Sequence, residues 1–218
     1  MNVTQEIELQ FLSIAISKAM IFVCLFGVVS NFAILLVIIA TKTMRNNHYF
    51  LIGNLAFNDC LLSFIMSITL LTPILTTFTG KVPGPPVIGR ILCSLKSQNA
   101  VFSTITNSAL IITLIAVERC LAVVFPIFYQ QHVTKRICFK VSGILWLYSC
   151  TLFIIKDYFS IKVENKFCSQ DYTNAISVFF GTVNVIDYII VQLLIPIFCY
   201  CCIAWKISLK ISKSGKAN

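Results

Sequence analysis

Glu118 and Arg119 stand side by side in the run ITLIAVERCLAVVFP, in a chain that is 58% hydrophobic and only 11% charged. An acid beside a base in such surroundings makes either an interfacial salt bridge that anchors a helix end, or a charge pair that opens when the acid is protonated or displaced. Two further acids, Asp59 in NLAFND and Asp187, lie deep in apolar sequence, where an ionisable group is costly and marks a functional position. Uncharged polar residues gather around them: Asn31, Asn54, Ser103, Thr104, Thr106, Asn107, Ser108, Asn184 and Gln192. The ordinary role of a single Ser, Thr or Asn of this kind is a helix–helix hydrogen bond. His48 and His132 fall in connecting segments beside apolar runs, where solvated or interfacial roles suit them better than ligation. The CYCC at 199–202 suits apolar packing better than metal binding or acylation. No Gly-x-Ser-x-Gly, phosphate-cradling glycine loop or His-Glu-x-x-His occurs, so the sequence offers an enzyme nothing to work with.

These residues must be positioned by membrane-crossing helices. A helix needs about 20 apolar residues to cross a bilayer, and five runs reach that scale, at 14–40, 50–78, 100–125, 137–155 and 176–207. The expected fold class is therefore an all-α membrane protein, a bundle of five transmembrane helices. Its expected organisation is an extracellular N-terminus over 1–13, a five-span domain over 14–207 and a basic cytoplasmic tail over 208–218. The start, MNVTQEIELQ, has no basic segment of the kind that opens a cleavable signal, so the first span is expected to act as an uncleaved anchor. The connection TFTGKVPGPPVIGR is too rich in Pro and Gly to be helical. The segments PIFYQQHVTKR and KDYFSIKVENKFCSQDYTN read as an inner and a longer outer loop.

The net charge of +9 is unevenly placed. Lys42, Arg45, Lys135, Arg136, Lys140, Lys206 and Lys210 all fall at one set of span ends, which the positive-inside rule makes cytoplasmic, with the N-terminus outside. The basic excess thus reads as topology and contact with anionic lipid, and not as nucleic-acid binding. With that orientation Asn2 opens a usable glycosylation sequon, Asn-Val-Thr. Most of the ten cysteines lie within spans, where the thiol behaves as a small apolar group; Cys93 and Cys168 lie in outer, oxidising segments.

Taken in order, the marked residues resemble the rhodopsin-like (class A) G-protein-coupled receptors. GVVSN, ending in Asn31, resembles their first-span signature. NLAFND, with Asn54 and Asp59, resembles that of the second span. Glu118-Arg119-Cys120 followed by Pro126 resembles the end of the third, and Trp146 and Pro196 match the marked residues of the fourth and fifth. The chain departs from that pattern in having Cys120 and Ala204 where tyrosines are usual, and it contains no counterpart of the sixth- and seventh-span motifs.

The resemblance implies roles for particular residues. Glu118, Arg119 and Cys120 would form the G-protein coupling switch, the Arg pairing with its acid at rest. Asp59 and Ser108, with Asn31, would form part of a sodium-binding core, since hard cations take oxygen ligands. Cys93 and Cys168 would form the disulfide tying span three to the outer loop. Val101, Phe102, Ile105, Tyr188 and Gln192 would face an extracellular small-molecule or peptide ligand. Val101 stands where amine receptors carry an Asp, which argues against an amine. CSQDYT resembles an outer-loop segment of opsins, but the retinal-binding Lys of that group belongs to span seven, so no retinal cofactor is expected.

Three functions follow. The first is a plasma-membrane signalling receptor, incomplete as given, whose partner is a heterotrimeric G protein once spans six and seven complete it. The second is a truncated, non-signalling form that associates with full-length receptor chains. The third is a small multispan transporter or channel subunit, for which broken paired helices or an internal repeat would be the sign; neither occurs in the sequence.

Overall fold

The structure, a computed structural model, describes residues 3–44, 46–79, 98–164, 167–170 and 175–214. Helix α1 (Val3–Ala40) leads through a tight turn at Lys42–Met44 into α2 (Asn47–Thr79). The central α3 (Gln98–Val124) is followed by the short α4 (Pro126–His132) and by α5 (Lys135–Ser160). A hairpin of β1 (Ile161–Glu164) and β2 (Phe167–Gln170) precedes α6 (Ala175–Asp187), which runs through a π-helical segment (Tyr188–Leu194) into α7 (Ile195–Ser214). Among the described residues, five stretches are long and apolar enough to cross a membrane: Ile14–Ala40, Asn47–Leu71, Asn99–Val124, Lys135–Phe159 and Gly181–Ser212. Helices are what such sequence must form in lipid, because every backbone N–H and C=O has to be satisfied within its own segment.

Burial orders the bundle. Half of the α3 span is enclosed, whereas none of the α1 span is. Helix α3 packs against α2, α5, the π segment and α7, while α1 leans on α2. The large apolar side chains of α1 (Phe22, Phe26, Val29), α5 (Phe139, Ile144, Leu147) and α7 (Phe198, Trp205) point outward, as lipid-facing residues must. Close approach of α1 to α2 depends on Gly27, where a Cβ would lie 2.7 Å from the Ser63 hydroxyl.

The structure revises three expectations. The PIFYQQH connection is a helix, started by Pro126, whose fixed φ and missing N–H suit a first turn. The outer loop contains an antiparallel hairpin, with Ile161 opposite Gln170 and Glu164 opposite Phe167. Two hydroxyls expected to join helices bond their own helix: Thr106 donates to the Phe102 carbonyl, and Thr104 is shared between the Ala100 and Val101 carbonyls.

Pro196 accounts for the geometry of the fifth span. Just before it, the Ile195 N–H donates to the Ile190 carbonyl, five residues back. Continuing that pattern would bring the N–H of residue 196 to the Val191 carbonyl, but proline has none. The orphaned carbonyl is met from α3, where the Thr113 hydroxyl, 3.0 Å from each, is shared between it and the Ala109 carbonyl.

Candidate functional site

Glu118 is the pivot of a cluster at the C-terminal end of α3. Its side chain is only 4% exposed, although it carries a charge. The turn at Phe125 and the helical start at Pro126 fold α4 back, so that the Tyr129 hydroxyl donates to Glu118 Oε1 at 2.5 Å. Burial, then the hydrogen bond and the charge of Glu118, push the Tyr129 phenol up to about 12. Glu118 Oε2 lies 3.6 Å from Arg119 Nε, an ion pair without a hydrogen bond, and has no hydrogen-bond partner. The Arg119 Nε–H donates to His48 Nδ1 at 3.0 Å, and that nitrogen lies 3.4 Å from Glu118 Oε2. Asn47, next to His48, donates to the Val133 carbonyl at 2.8 Å and so ties the start of α2 to the end of α4.

The expected pair of Glu118 and Arg119 is thus a group of four with His48 and Tyr129. His48, expected in a solvated or interfacial role, is partly exposed at this helix end and meets both members of the pair. Seventy residues separate it from Glu118, so no local spacing betrays the contact. Tyr129 was legible only through Pro126, which sets the helix that returns it. Cys120 takes no part in the charges; it packs in an apolar cluster with Ala116 and Cys199, against Cys202 and Ile203.

A second polar cluster lies deeper, on the seam of α2, α3 and α5. Ser108 Oγ donates to Asp59 Oδ1 at 2.5 Å, so the two residues expected together do meet. Asn31 does not join them in this geometry: its amide donates to the Gly27 carbonyl of its own helix at 3.0 Å. The group's organiser is Asn58, which the sequence reading passed over. It is fully buried and donates both to Ser108 Oγ at 2.5 Å and to the Thr104 carbonyl at 2.9 Å. It accepts from Asn107 Nδ2 at 2.8 Å, and Asn107 in turn accepts from Ser149 at 3.4 Å. Asn54 accepts the Trp146 indole N–H at 2.9 Å, joining two of the marked residues, and Phe57 packs on the same indole at 5.8 Å.

Of the residues expected to face a ligand, Phe102, Ile105 and Tyr188 are exposed, and Val101 is half-buried. Gln192, on the π segment, holds Oε1 buried with no hydrogen-bond partner. Asn2 and Cys93 lie outside the described residues. Cys168 is described through its backbone, which pairs with Val163 in the hairpin.

The described geometry is a set of apolar helices around a central one crossed by buried polar side chains, with an acid–base pair toward its end. The chain matches the 7 transmembrane receptor (rhodopsin family) over residues 30–218 and belongs to that family, one of receptors and not of enzymes. It is a multipass membrane protein. It is similar to neuropeptide Y receptor type 2 of Homo sapiens, 28% identical over 202 residues that cover 89% of this chain and 50% of that receptor. The same receptor of Sus scrofa is 28% identical over 224 residues, covering 97% of this chain and 55% of the relative. G-protein coupled receptor 15 of Mus musculus is 26% identical over 200 residues, covering 90% and 53%. The chain spans about half the length of the curated relatives it matches.

Proposed function

We propose that this chain supplies spans one to five of a plasma-membrane receptor that couples an extracellular peptide to a heterotrimeric G protein, with its N-terminus outside. The observation that carries this reading is the cluster of Glu118, Arg119, His48 and Tyr129. It keeps a permanently charged guanidinium, 43% exposed, at the end of the most enclosed helix, held by contacts that a partner could replace. Peptide ligands are favoured by the names of the neuropeptide Y receptor relatives and by Val101, which offers no charge to an amine. In this reading Phe102, Ile105, Tyr188 and Gln192 face the ligand and Cys93 bonds to Cys168.

Asp59 and Ser108 supply two oxygens toward a hard cation such as sodium. The Ser108 hydroxyl already donates to Asp59 and accepts from Asn58, which leaves it one lone pair. Such a site therefore needs further oxygens from elsewhere.

The test is nucleotide exchange on purified G proteins, with the chain co-expressed with the remaining spans of a relative. Peptide-stimulated exchange that disappears with Arg119→Ala is the expected result; exchange indifferent to Arg119 refutes the coupling role.

A further inference from the structure

His48 Nδ1 faces two groups that make opposite demands on it. Arginine stays protonated and its Nε is a donor only, so the 3.0 Å bond from Arg119 requires a lone pair on Nδ1 and hence a neutral ring with its proton on Nε2. Glu118 Oε2, 3.4 Å from the same atom, lacks any hydrogen-bond partner and would accept a proton-bearing Nδ1. One nitrogen cannot accept from Arg119 and donate to Glu118 at once.

We propose that His48 is a proton-controlled positioning residue of the Glu118–Arg119 pair, holding Arg119 when neutral and, when protonated, taking Glu118 and releasing Arg119. Protonation turns the acceptor into a second donor, so the Arg119 bond is lost and two like charges are left side by side. At the same time it gives the buried Oε2 the partner it lacks. The acid's charge is matched in both states, by Arg119 in one and by His48 in the other, and the guanidinium is the group left without its partner.

Groups on three elements face this exchange. From α4, the Tyr129 hydroxyl is committed to Oε1 and leaves Oε2 free for the contest. From α5, the Cys138 thiol stands near enough to feel the Glu118 charge. On α2 itself, the uncharged Tyr49 ring packs 5.7 Å from the imidazole. His48 is 21% exposed, so solvent protons reach it. An imidazole is the one side chain whose ordinary titration falls between about pH 5 and 8. The consequence for coupling rests on the proposed receptor function, but the exchange of partners does not.

The chain holds only two histidines, so His132→Gln leaves His48 as the sole imidazole signal. The 218-residue chain with ring-15N histidine and 15Nε arginine, in lipid nanodiscs, should show at neutral to alkaline pH an unprotonated Nδ1 and a protonated Nε2. On acidification both nitrogens should become protonated, and the Arg119 Nε signal, assigned by its loss in Arg119→Lys, should move over the same interval. In His48→Gln the Arg119 signal should no longer respond to pH. A neutral ring protonated on Nδ1, or an Arg119 signal that stays put while His48 titrates, overturns the proposal. So does an Arg119 signal that still follows pH in His48→Gln.

No G protein enters that measurement, so it stands or falls separately from the exchange assay. Where exchange depends on Arg119, His48→Gln should abolish its pH dependence over the same interval. Where Arg119→Ala leaves exchange unchanged, the coupling reading alone fails.

Discussion

Between Ser149 and Asp59 each polar group has one direction to give or take: Ser149 to Asn107, Asn107 to Asn58, Asn58 to Ser108, Ser108 to Asp59. At the end of α3 the bonding is under-determined. Two groups, Arg119 and Glu118, address one imidazole nitrogen, and one carboxylate oxygen goes without a partner. The bonds of the deep cluster run in one direction through amides and hydroxyls to the Asp59 carboxylate, and these four bonds pass among three helices. The cluster at the end of α3 is built from ionisable groups whose contacts depend on where a proton sits. A network whose donors and acceptors run one way fixes a packing, whereas two groups that address one nitrogen leave two arrangements open. The same pair of helices, α2 and α3, contains both, one above the other.

The difference should show first in stability. Asn58→Leu removes the hub of the deep cluster, leaving the Asn107 amide without its acceptor and the Ser108 hydroxyl without its donor. Each buried group left unpaired costs about 1–3 kcal/mol, so unfolding in mixed micelles should come at markedly lower denaturant. The double variant with Asn107→Leu should recover part of the loss, because apolar groups then face each other. If Asn58→Leu unfolds like the parent chain, the network is not what holds the seam.

Glu118→Gln should matter less for folding. Arg119 is 43% exposed and its pairing partly screened, so about 1 kcal/mol or less is expected. Its main effect should be on Arg119, whose Nε–H should exchange with solvent faster by NMR. A larger stability loss than that of Asn58→Leu would reverse the contrast drawn between the clusters.

The smallest effect concerns Tyr129. Folding raises its phenol from 10.0 to about 12. A raised acid contributes stability that is complete below the unfolded value and is lost as pH climbs through the folded one. The contribution should therefore fade between pH 10 and about 12, as measured by thermal unfolding against pH, and Tyr129→Phe should remove that component of the pH dependence. A difference between parent and variant that is constant across the interval would mean that the phenol does not report on Glu118.

Much of this architecture was readable in the residues. The crossings follow from apolar length, and the pairs Asp59 with Ser108 and Glu118 with Arg119 do meet; Asn54 and Trp146, marked separately in the sequence, turn out to be bonded to each other. Asn58 was overlooked because it stands beside the more costly Asp59, and its partners lie 46 to 50 positions away. The partners of His48 are hidden for the same reason: a contact across 71 positions leaves no trace in local spacing. The Asn31 amide turned to its own helix because the Gly27 carbonyl is one turn away and always available. The segment Tyr188–Leu194 was invisible to periodicity, which assumes one turn width throughout, and Pro196 announced only an interruption.

That wide turn carries a consequence for chain length. A π turn takes in about one residue more than an α turn, and each α-helical residue advances about 100° around the axis. Beyond Leu194 the helix is therefore in a different phase from the one a count along the sequence would give. Cys199 packs against Cys120 in this phase, and Tyr200 and Cys201 face outward. Removing one residue from 188–194 would let an ordinary helix present the same downstream face, whereas removing one from 197–200 would turn that face away. The segment is thus a place where the chain can gain or lose a residue while both ends of the span keep their neighbours.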